Sequence, residues 1–188
     1  REHIARGERG HDPADPGIIQ TKNALAKVHL LLRQPDTAET YVDEVLKASP
    51  KSIEGHYTKG EILLARGEGA AAVAEFRTVT SERPPFIPGH LRLAAAHLIN
   101  KEVDLALSTL QNAQKIDPSS KDLLHALARV YVLKKDYPLA EEQLRKISDI
   151  DPTDAAAQSN LGDLLTALKR YPEAEEAFRN ITLRSRQN

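Results

Sequence analysis

Apolar and small residues recur along this chain with a period of 34 residues. The most regular column is alanine, at positions 38, 72, 106, 140 and 174. Larger apolar residues follow four positions later, at Val42, Phe76, Leu110, Leu144 and Phe178. A further column stands three positions beyond, at Val45, Val79, Ala113, Ile147 and Ile181. The spacing i, i+4, i+7 is typical of one face of an amphipathic helix.

Two adjoining columns in each period predict a second helix. A long residue comes first, at Leu25, Lys59, Leu93, Leu127 and Leu161, and a small residue follows, at Ala26, Gly60, Ala94, Ala128 and Gly162. Prolines repeat at the same interval, at Pro16, Pro50, Pro84, Pro118 and Pro152. Proline cannot donate the helical hydrogen bond, so each is expected to end a helix. The pattern predicts two helices, A and B, in every unit.

The fourth and fifth units predict where the turns lie. We expect helix A at 121–134, a turn at Lys135-Asp136 and helix B at 137–149, while Tyr171-Pro172 opens helix B of the fifth unit. Proline is favourable in the first helical turn, where its missing N–H costs nothing. One such hairpin cannot bury its apolar stripe alone, so neighbouring units must stack.

The columns divide the chain into five units, at 19–52, 53–86, 87–120, 121–154 and 155–188. Residues 1–18 are polar and turn-rich, and we expect a lead-in or the remnant of a preceding repeat. At the other end, helix B of the fifth unit places Ala177, Phe178 and Ile181 on its inner face without a polar capping helix after it. An exposed apolar end face is an association site, so either the parent protein continues or another subunit covers it.

Composition narrows the class of function. The chain has 188 residues with 26 basic and 27 acidic side chains, a net charge of −1, which gives no field to attract nucleic acid or an anionic membrane. The absence of cysteine excludes disulfides, thiol catalysis and zinc–thiolate sites. No apolar run approaches the roughly 20 residues that span a membrane. The absence of methionine predicts that the chain is part of a longer protein.

The repeated unit resembles the tetratricopeptide repeat (TPR) family. The similarity is carried by Leu161-Gly162, Tyr171, Ala174 and Phe178, and in the unit before by Leu127-Ala128, Tyr137, Ala140, Leu144 and Asp151-Pro152. It implies an all-α fold, a TPR-type α-solenoid in which antiparallel helix pairs form a right-handed superhelix. Family members bind proteins or peptides in the concave groove that the A helices line, and they are not normally catalytic. The chain departs from the family in having no tryptophan and in placing Lys59 where a leucine is usual.

Family geometry then implies which side chains face the groove. The expected partner-binding residues are Asn23, Lys27, Glu54, Tyr57, Glu61, Arg92, His125, Arg129, Ser159, Asn160 and Asp163. Among them Tyr57, Arg92, His125 and Arg129 are the expected anchors, because aromatic and arginine side chains dominate binding hot spots. The resemblance thus implies a scaffold for protein–protein interaction, with a protein or peptide as ligand and without a cofactor.

Two features invite a catalytic or ligand-binding interpretation. Four histidines, at 29, 56, 90 and 97, fall in the repeat columns and are interpreted as packing residues. Gly67-Glu68-Gly69 followed by Ala72 imitates a dinucleotide-binding loop, but a predicted helix precedes it where that loop needs a strand. We therefore expect neither a catalytic nor a metal or cofactor site, and no enzyme activity.

Two other functions remain open. The uncapped C-terminal face predicts self-association, which would make the chain a homo-oligomer. Alternatively the array is the non-catalytic arm of an enzyme or of a secretion component. The style of the units is similar to bacterial TPR proteins that help assemble or export exopolysaccharide and envelope components, which leaves the periplasm, the cell envelope and the cytoplasm all open as compartments.

Overall fold

The structure is a computed structural model that describes residues 14–184. Within that range every regular element is an α-helix, so the predicted all-α solenoid is confirmed. The helices are α1 (Pro16–Leu31), α2 (Pro35–Ala48), α3 (Ile53–Ala65), α4 (Gly69–Glu82), α5 (Ile87–Ile99), α6 (Val103–Ile116), α7 (Lys121–Leu133), α8 (Tyr137–Ile150), α9 (Ala155–Ala167) and α10 (Tyr171–Arg184). Odd-numbered helices are the A helices, and even-numbered ones are the B helices.

Helix α1 begins earlier than the sequence pattern predicts. Its first residue is Pro16, and the Asp15 carboxylate caps it by accepting hydrogen bonds from the backbone N–H groups of Gly17 and Ile18. Residues 16–18, expected in the lead-in, are therefore helical. Residues 1–13 of that lead-in lie outside the described part of the chain. Pro16 consequently starts a helix, whereas the other four prolines of its column follow the ends of α2, α4, α6 and α8.

The turn inside each hairpin has one conformation throughout. A residue with positive φ follows every A helix, at Arg33, Gly67, Lys101, Lys135 and Lys169. The next N–H donates to a carbonyl five residues back, as from Asp136 to Tyr131 at 2.9 Å. This Schellman geometry satisfies the last helical carbonyls. It confirms the predicted turns at Lys135-Asp136 and at Gly67-Glu68-Gly69, the latter following helix α3 and no strand.

The core lies between the A and B helices of each unit and continues from unit to unit. The alanine column is almost completely buried, from 0% exposed at Ala38 to 4% at Ala174. Small residues there let the two helices approach closely. Where the small column has glycine, the facing B helix supplies phenylalanine, so that Phe76 packs on Gly60 and Phe178 on Gly162.

Lys59, which stands where the repeat usually has leucine, pairs with acidic residues on the preceding B helix, α2. Its ammonium group contacts Glu39 at 2.5 Å and Asp43 at 2.8 Å, both on α2. Arg66, about two helical turns further on, reaches Glu39 and Asp36 at 2.6 Å each. Hydrogen bonds from Lys59 and Arg66 hold the pKa of Glu39 below its usual value. An ion cluster thus replaces the buried leucine at the junction of the first two units.

Among the described residues, no helix is both long and apolar enough to cross a membrane.

Candidate functional site: the concave surface

The A helices form the inner layer of the array. Helix α1 contacts α3, α3 contacts α5 and α5 contacts α7, while α2, α4, α6 and α8 each pack between successive A helices. The sides of the A helices that point away from the B helices therefore share one surface, which we call the concave surface. It is where the sequence pattern places the partner-binding residues.

Three of the predicted residues meet at the junction of the second and third units. Arg92 on α5 contacts the Glu61 carboxylate on α3 at 3.1 Å; burial acts to lower the pKa of the Arg92 guanidinium, but both Tyr57 and Glu61 act to raise it. The Tyr57 ring is itself wedged edge-on between Phe76 and Phe86, with ring centroids 5.6 and 5.5 Å away. Both expected anchors here already have partners within the chain, so they stabilise the groove floor as well as line it.

His125 is held in a similar way between the fourth and fifth units. Its Nε2 lies 3.5 Å from the carboxylate of Asp154, which caps α9 by accepting from the Ala157 N–H at 2.9 Å. Lys121 also reaches Asp154, at 3.3 Å. Burial acts to raise the pKa of Asp154, but the Ala157 and Lys121 hydrogen bonds together hold it below its usual value. The negative charge at this cap therefore persists at neutral pH and orients His125.

Arg129, Asn160 and Asp163 surround a hollow between α7 and α9. The hollow has a volume of about 530 Å³. Its lining is mainly apolar and comprises Ala128, Val132, Leu133, Tyr137, Leu144, Leu164 and Ala167. Leu133 is 62% exposed and Val132 42% exposed on its walls. The arrangement can accept a large apolar side chain between a cation, Arg129, and an anion, Asp163.

The remaining predicted residues are not brought together. Lys27 and Glu54 are exposed on separate helices, and Ser159 is half-buried on α9. Asn23 corrects the prediction, because its side chain is 2% exposed and its amide atoms are inaccessible. In α1 this position is buried, so the Asn23 side chain is not accessible on the concave surface.

A row of exposed apolar residues at the C-terminal ends of the A helices was not predicted. Leu31 is 85% exposed, Ile99 44% and Leu133 62%. These three residues belong to one column of the 34-residue repeat, whose other members are Ala65 and Ala167. The period of 34 contains this column, but spacing alone does not show that its residues are exposed. Exposed apolar residues in a row favour contact with a partner's apolar side chains.

The histidines of the repeat columns have structural hydrogen bonds. His56 links the Glu75 carboxylate, 2.6 Å from Nδ1, to the Pro50 carbonyl, 2.9 Å from Nε2. His90 donates from Nε2 to the Pro84 carbonyl at 2.7 Å, the same contact one repeat later. His97 is 3% exposed and contacts Glu102 at 2.7 Å. Within residues 14–184, no three histidines and acidic groups are placed to hold a metal ion together.

Comparison with known proteins identifies the repeat. Sequence models described as tetratricopeptide repeat match residues 23–85, 97–159 and 131–188. No curated protein sequence is significantly similar. Several solved structures share the fold.

MamA (residues 41 to the end) from Desulfovibrio magneticus RS-1 superposes with a TM-score of 0.76 at 22% identity, over 91% of this chain and 97% of that one. PilF of Pseudomonas aeruginosa gives 0.77 at 16% identity, over 89% and 76%. YrrB, described as a TPR protein with an unusual peptide-binding site, gives 0.64 at 16% identity, over 85% and 82%. Such identities establish the fold alone. TPR domains generally mediate protein–protein interactions, and the matched segments, which together cover most of its length, show that this chain belongs to the tetratricopeptide repeat family.

Proposed function

We propose that this chain is a protein-interaction scaffold that holds a segment of a partner protein on its concave surface. The hollow between α7 and α9 carries the proposal, because it combines exposed apolar walls with charges of opposite sign at its rim. Binding sites are typically concave and mostly apolar, with a few polar groups that fix orientation.

The charges at the hollow define the partner's chemistry. A large apolar side chain would fill the space between Val132, Leu133 and Ala167. An acidic residue beside it would pair with Arg129, and a basic residue on the other side would pair with Asp163. The ligand is therefore a peptide segment in which one bulky apolar residue lies between opposite charges.

Leu133→Glu tests this assignment. The change places a charge on the apolar wall, which is costly to desolvate when a ligand side chain enters. Peptides selected from a random displayed library against the parent chain are synthesised with a fluorophore, and their Kd is measured by anisotropy. We expect Leu133→Glu to weaken binding about tenfold or more.

Leu105→Glu is the matched control, since Leu105 is 45% exposed on α6, away from the hollow. It should change Kd by less than about twofold, a difference well under 1 kcal/mol. Selected peptides that bind Leu133→Glu as tightly as the parent would remove the hollow from the proposal.

We also propose that the chain has no catalytic role of its own. The support is that His56, His90 and His97 are engaged in hydrogen bonds that join helices within and between units. Turnover of generic ester or phosphoester substrates that survives purification to homogeneity would contradict it.

A narrower proposal places the scaffold, as part of a larger bacterial protein, in the assembly or export of exopolysaccharide or envelope components. It is supported by the style of the repeat units alone. Fractionation of cells that carry the tagged full-length protein, with measurement of secreted polysaccharide in a deletion strain, tests it. Unchanged polysaccharide together with a purely cytoplasmic protein would contradict it.

Self-association is the second candidate function. Its support is the exposure of two aromatic residues on α10: Tyr171 is 60% exposed, and Phe178, although its ring packs on Gly162, is 36% exposed. Sedimentation velocity at several concentrations tests it, and a strict monomer over the whole range argues against it.

A further inference from the structure

The outer face of α1 carries apolar residues at positions that are covered in later units. Leu25 is 37% and Val28 49% exposed. In the fifth unit the corresponding residues are Leu161 and Leu164, which are 5% and 6% exposed. This part of every later A helix packs against the B helix of the unit before, as Lys59 does against α2. In the part of the chain that the structure describes, this face of the first unit is exposed, and it corresponds to the face that accepts a preceding B helix in later units.

Helix α10 repeats much of the sequence of the B helix that such a surface accepts. Helix α10 is identical to α8 at seven of fourteen aligned positions, namely Tyr171, Pro172, Ala174, Glu175, Glu176, Arg179 and Ile181. In α8 the counterpart of Tyr171 is half-buried, and Leu144, the counterpart of Phe178, is 1% exposed because α9 follows. In α10 the same positions are 60% and 36% exposed.

We propose that copies of this chain associate head to tail, with α10 of one copy packed against α1 of the next as α8 packs against α9. The inference rests on the proposed self-association and names its two surfaces. It specifies a second copy as the occupant, because the two end faces reproduce the two sides of an interface that the chain already makes within itself.

The charges at the two junctions match in part. Beside Leu161, the internal junction has the ion pair Glu141–Arg145 on α8, at 2.7 Å. The equivalent pair on α10 is Glu175–Arg179, with the same i, i+4 spacing. Leu25 would meet this pair as Leu161 meets its own. Glu141 and Arg145 also pair across the internal junction with Arg170 and Glu173, whose equivalents in the first unit are the uncharged Gln34 and Thr37. The ends therefore reproduce the apolar contacts and the ion pair within the B helix, but not the ion pairs that cross the junction.

Head-to-tail contact predicts an open series of oligomers. An interface between different surfaces leaves one free surface at each end, so copies add without closing unless the rotation completes a ring. Sedimentation of the parent chain should show mass that rises with concentration beyond that of a dimer.

Engineered cysteines locate the interface. Inside the chain, Gly69 on α4 lies so close to Asn100, at the end of α5, that a Cβ on Gly69 would be 2.3 Å from its Oδ1. The equivalent positions at the ends are Tyr171 and Leu32, and Leu32 is 59% exposed. Since the chain has no cysteine, a mixture of Leu32→Cys and Tyr171→Cys should form a mixed disulfide dimer under mild oxidation.

Leu105→Cys replaces Tyr171→Cys in the matched control mixture. Head-to-tail association predicts at least about tenfold more mixed dimer than in the control, a ratio equivalent to about 1.4 kcal/mol. Mixed dimer at the control level would overturn the proposal. Predominance of the Tyr171→Cys homodimer would overturn it too, in favour of tail-to-tail contact.

Two charged variants separate this inference from self-association in general. Val28→Glu places a charge on the α1 surface of the interface (the head), and Tyr171→Glu places one on the α10 surface (the tail). Both positions are at least 49% exposed, so circular dichroism should show that each variant still folds. We expect each variant alone to be monomeric and their equimolar mixture to stop at a dimer. A parent that is strictly monomeric refutes both proposals, whereas a Val28→Glu chain that still associates refutes only the head-to-tail interface.

Discussion

The ring of Phe76 lies directly against the backbone of Gly60. A Cβ on Gly60 would stand 2.6 Å from Cζ of that ring, closer than packed atoms approach. Gly162 and Phe178 repeat the relationship, at 2.5 Å. In the other units alanine faces a smaller aliphatic residue, as Ala94 faces Leu110. A smaller residue in one column therefore faces a larger residue in the other, and this keeps the combined volume of the pair similar from hairpin to hairpin.

Gly60→Ala is expected to destabilise the array by about 1–3 kcal/mol, because Phe76 is fully buried and cannot move aside without strain. Urea unfolding at neutral pH measures the loss. The double variant Gly60→Ala with Phe76→Leu restores the pairing of Ala94 with Leu110 and should recover much of it. Gly162→Ala should cost less, since Phe178 is 36% exposed and free to shift. Equal losses at both glycines would refute the size-matching argument.

Lys135→Gly is expected to stabilise the chain by about 0.5 kcal/mol. Lys135 has φ of 61°, a conformation that costs a non-glycine residue about 1–2 kcal/mol. Glycine removes this cost but raises the conformational entropy of the unfolded chain, which offsets part of the stabilisation. Thermal unfolding measures the change. Gly67→Ala is the reverse experiment, because Gly67 has φ of 77° and open space where the Cβ would lie. It should cost about 1 kcal/mol through the backbone alone, and a neutral result would contradict the explanation.

Lys59→Leu is expected to reduce the loss of stability in acid. The pKa of Glu39 is lowered from its reference value of 4.5, first by its hydrogen bond from Lys59. A carboxyl with a lowered folded-state pKa stabilises the fold above about pH 4.5, and that contribution disappears as the pH falls through the folded-state pKa. Removing Lys59 reduces the difference between the folded-state and unfolded-state pKa values of Glu39, which Arg66 alone then maintains, so less stability remains to be lost.

The measurement is the free energy of unfolding in urea at pH 7 and pH 3. The difference between the two pH values should be smaller for Lys59→Leu than for the parent. Lys47→Leu, exposed elsewhere on α2, is the matched control and should behave as the parent does. An unchanged pH dependence in Lys59→Leu would show that the Lys59 contacts do not act on Glu39.

Asn23→Leu is expected to stabilise the array by about 1–2 kcal/mol. Both amide atoms of Asn23 are buried without a hydrogen-bond partner among the described residues, and an unsatisfied buried polar group carries a desolvation cost of about 1–3 kcal/mol. Leucine has a similar volume and already occupies the same place in the third unit, at Leu91. Thermal unfolding compares it with Asn160→Leu, an exposed position that should shift stability by at most about 0.5 kcal/mol. A destabilised Asn23→Leu would mean that the amide has a partner in solution.

The concave site was only partly predictable from sequence. The period places Tyr57, Arg92 and His125 on the A helices, but it does not say that Arg92 binds Glu61 or that His125 faces the cap of α9. Those contacts join residues of different units, and their geometry depends on how far neighbouring A helices stand apart. The hollow beside Arg129 depends on the same separation between α7 and α9, so its outline could not be derived from spacing.

The sequence by itself determined the hairpins, their turns and their stacking, because a strict 34-residue period of small and apolar residues has one way to bury its stripes. Only the tertiary structure decided which polar residues of the A helices are accessible. Asn23 stands at a groove position yet is 2% exposed, and three lysines adopt positive φ that lysine itself does not favour. Burial and backbone strain at one residue are set by the neighbours that pack around it, and a repeat column specifies a face of the helix without specifying those neighbours.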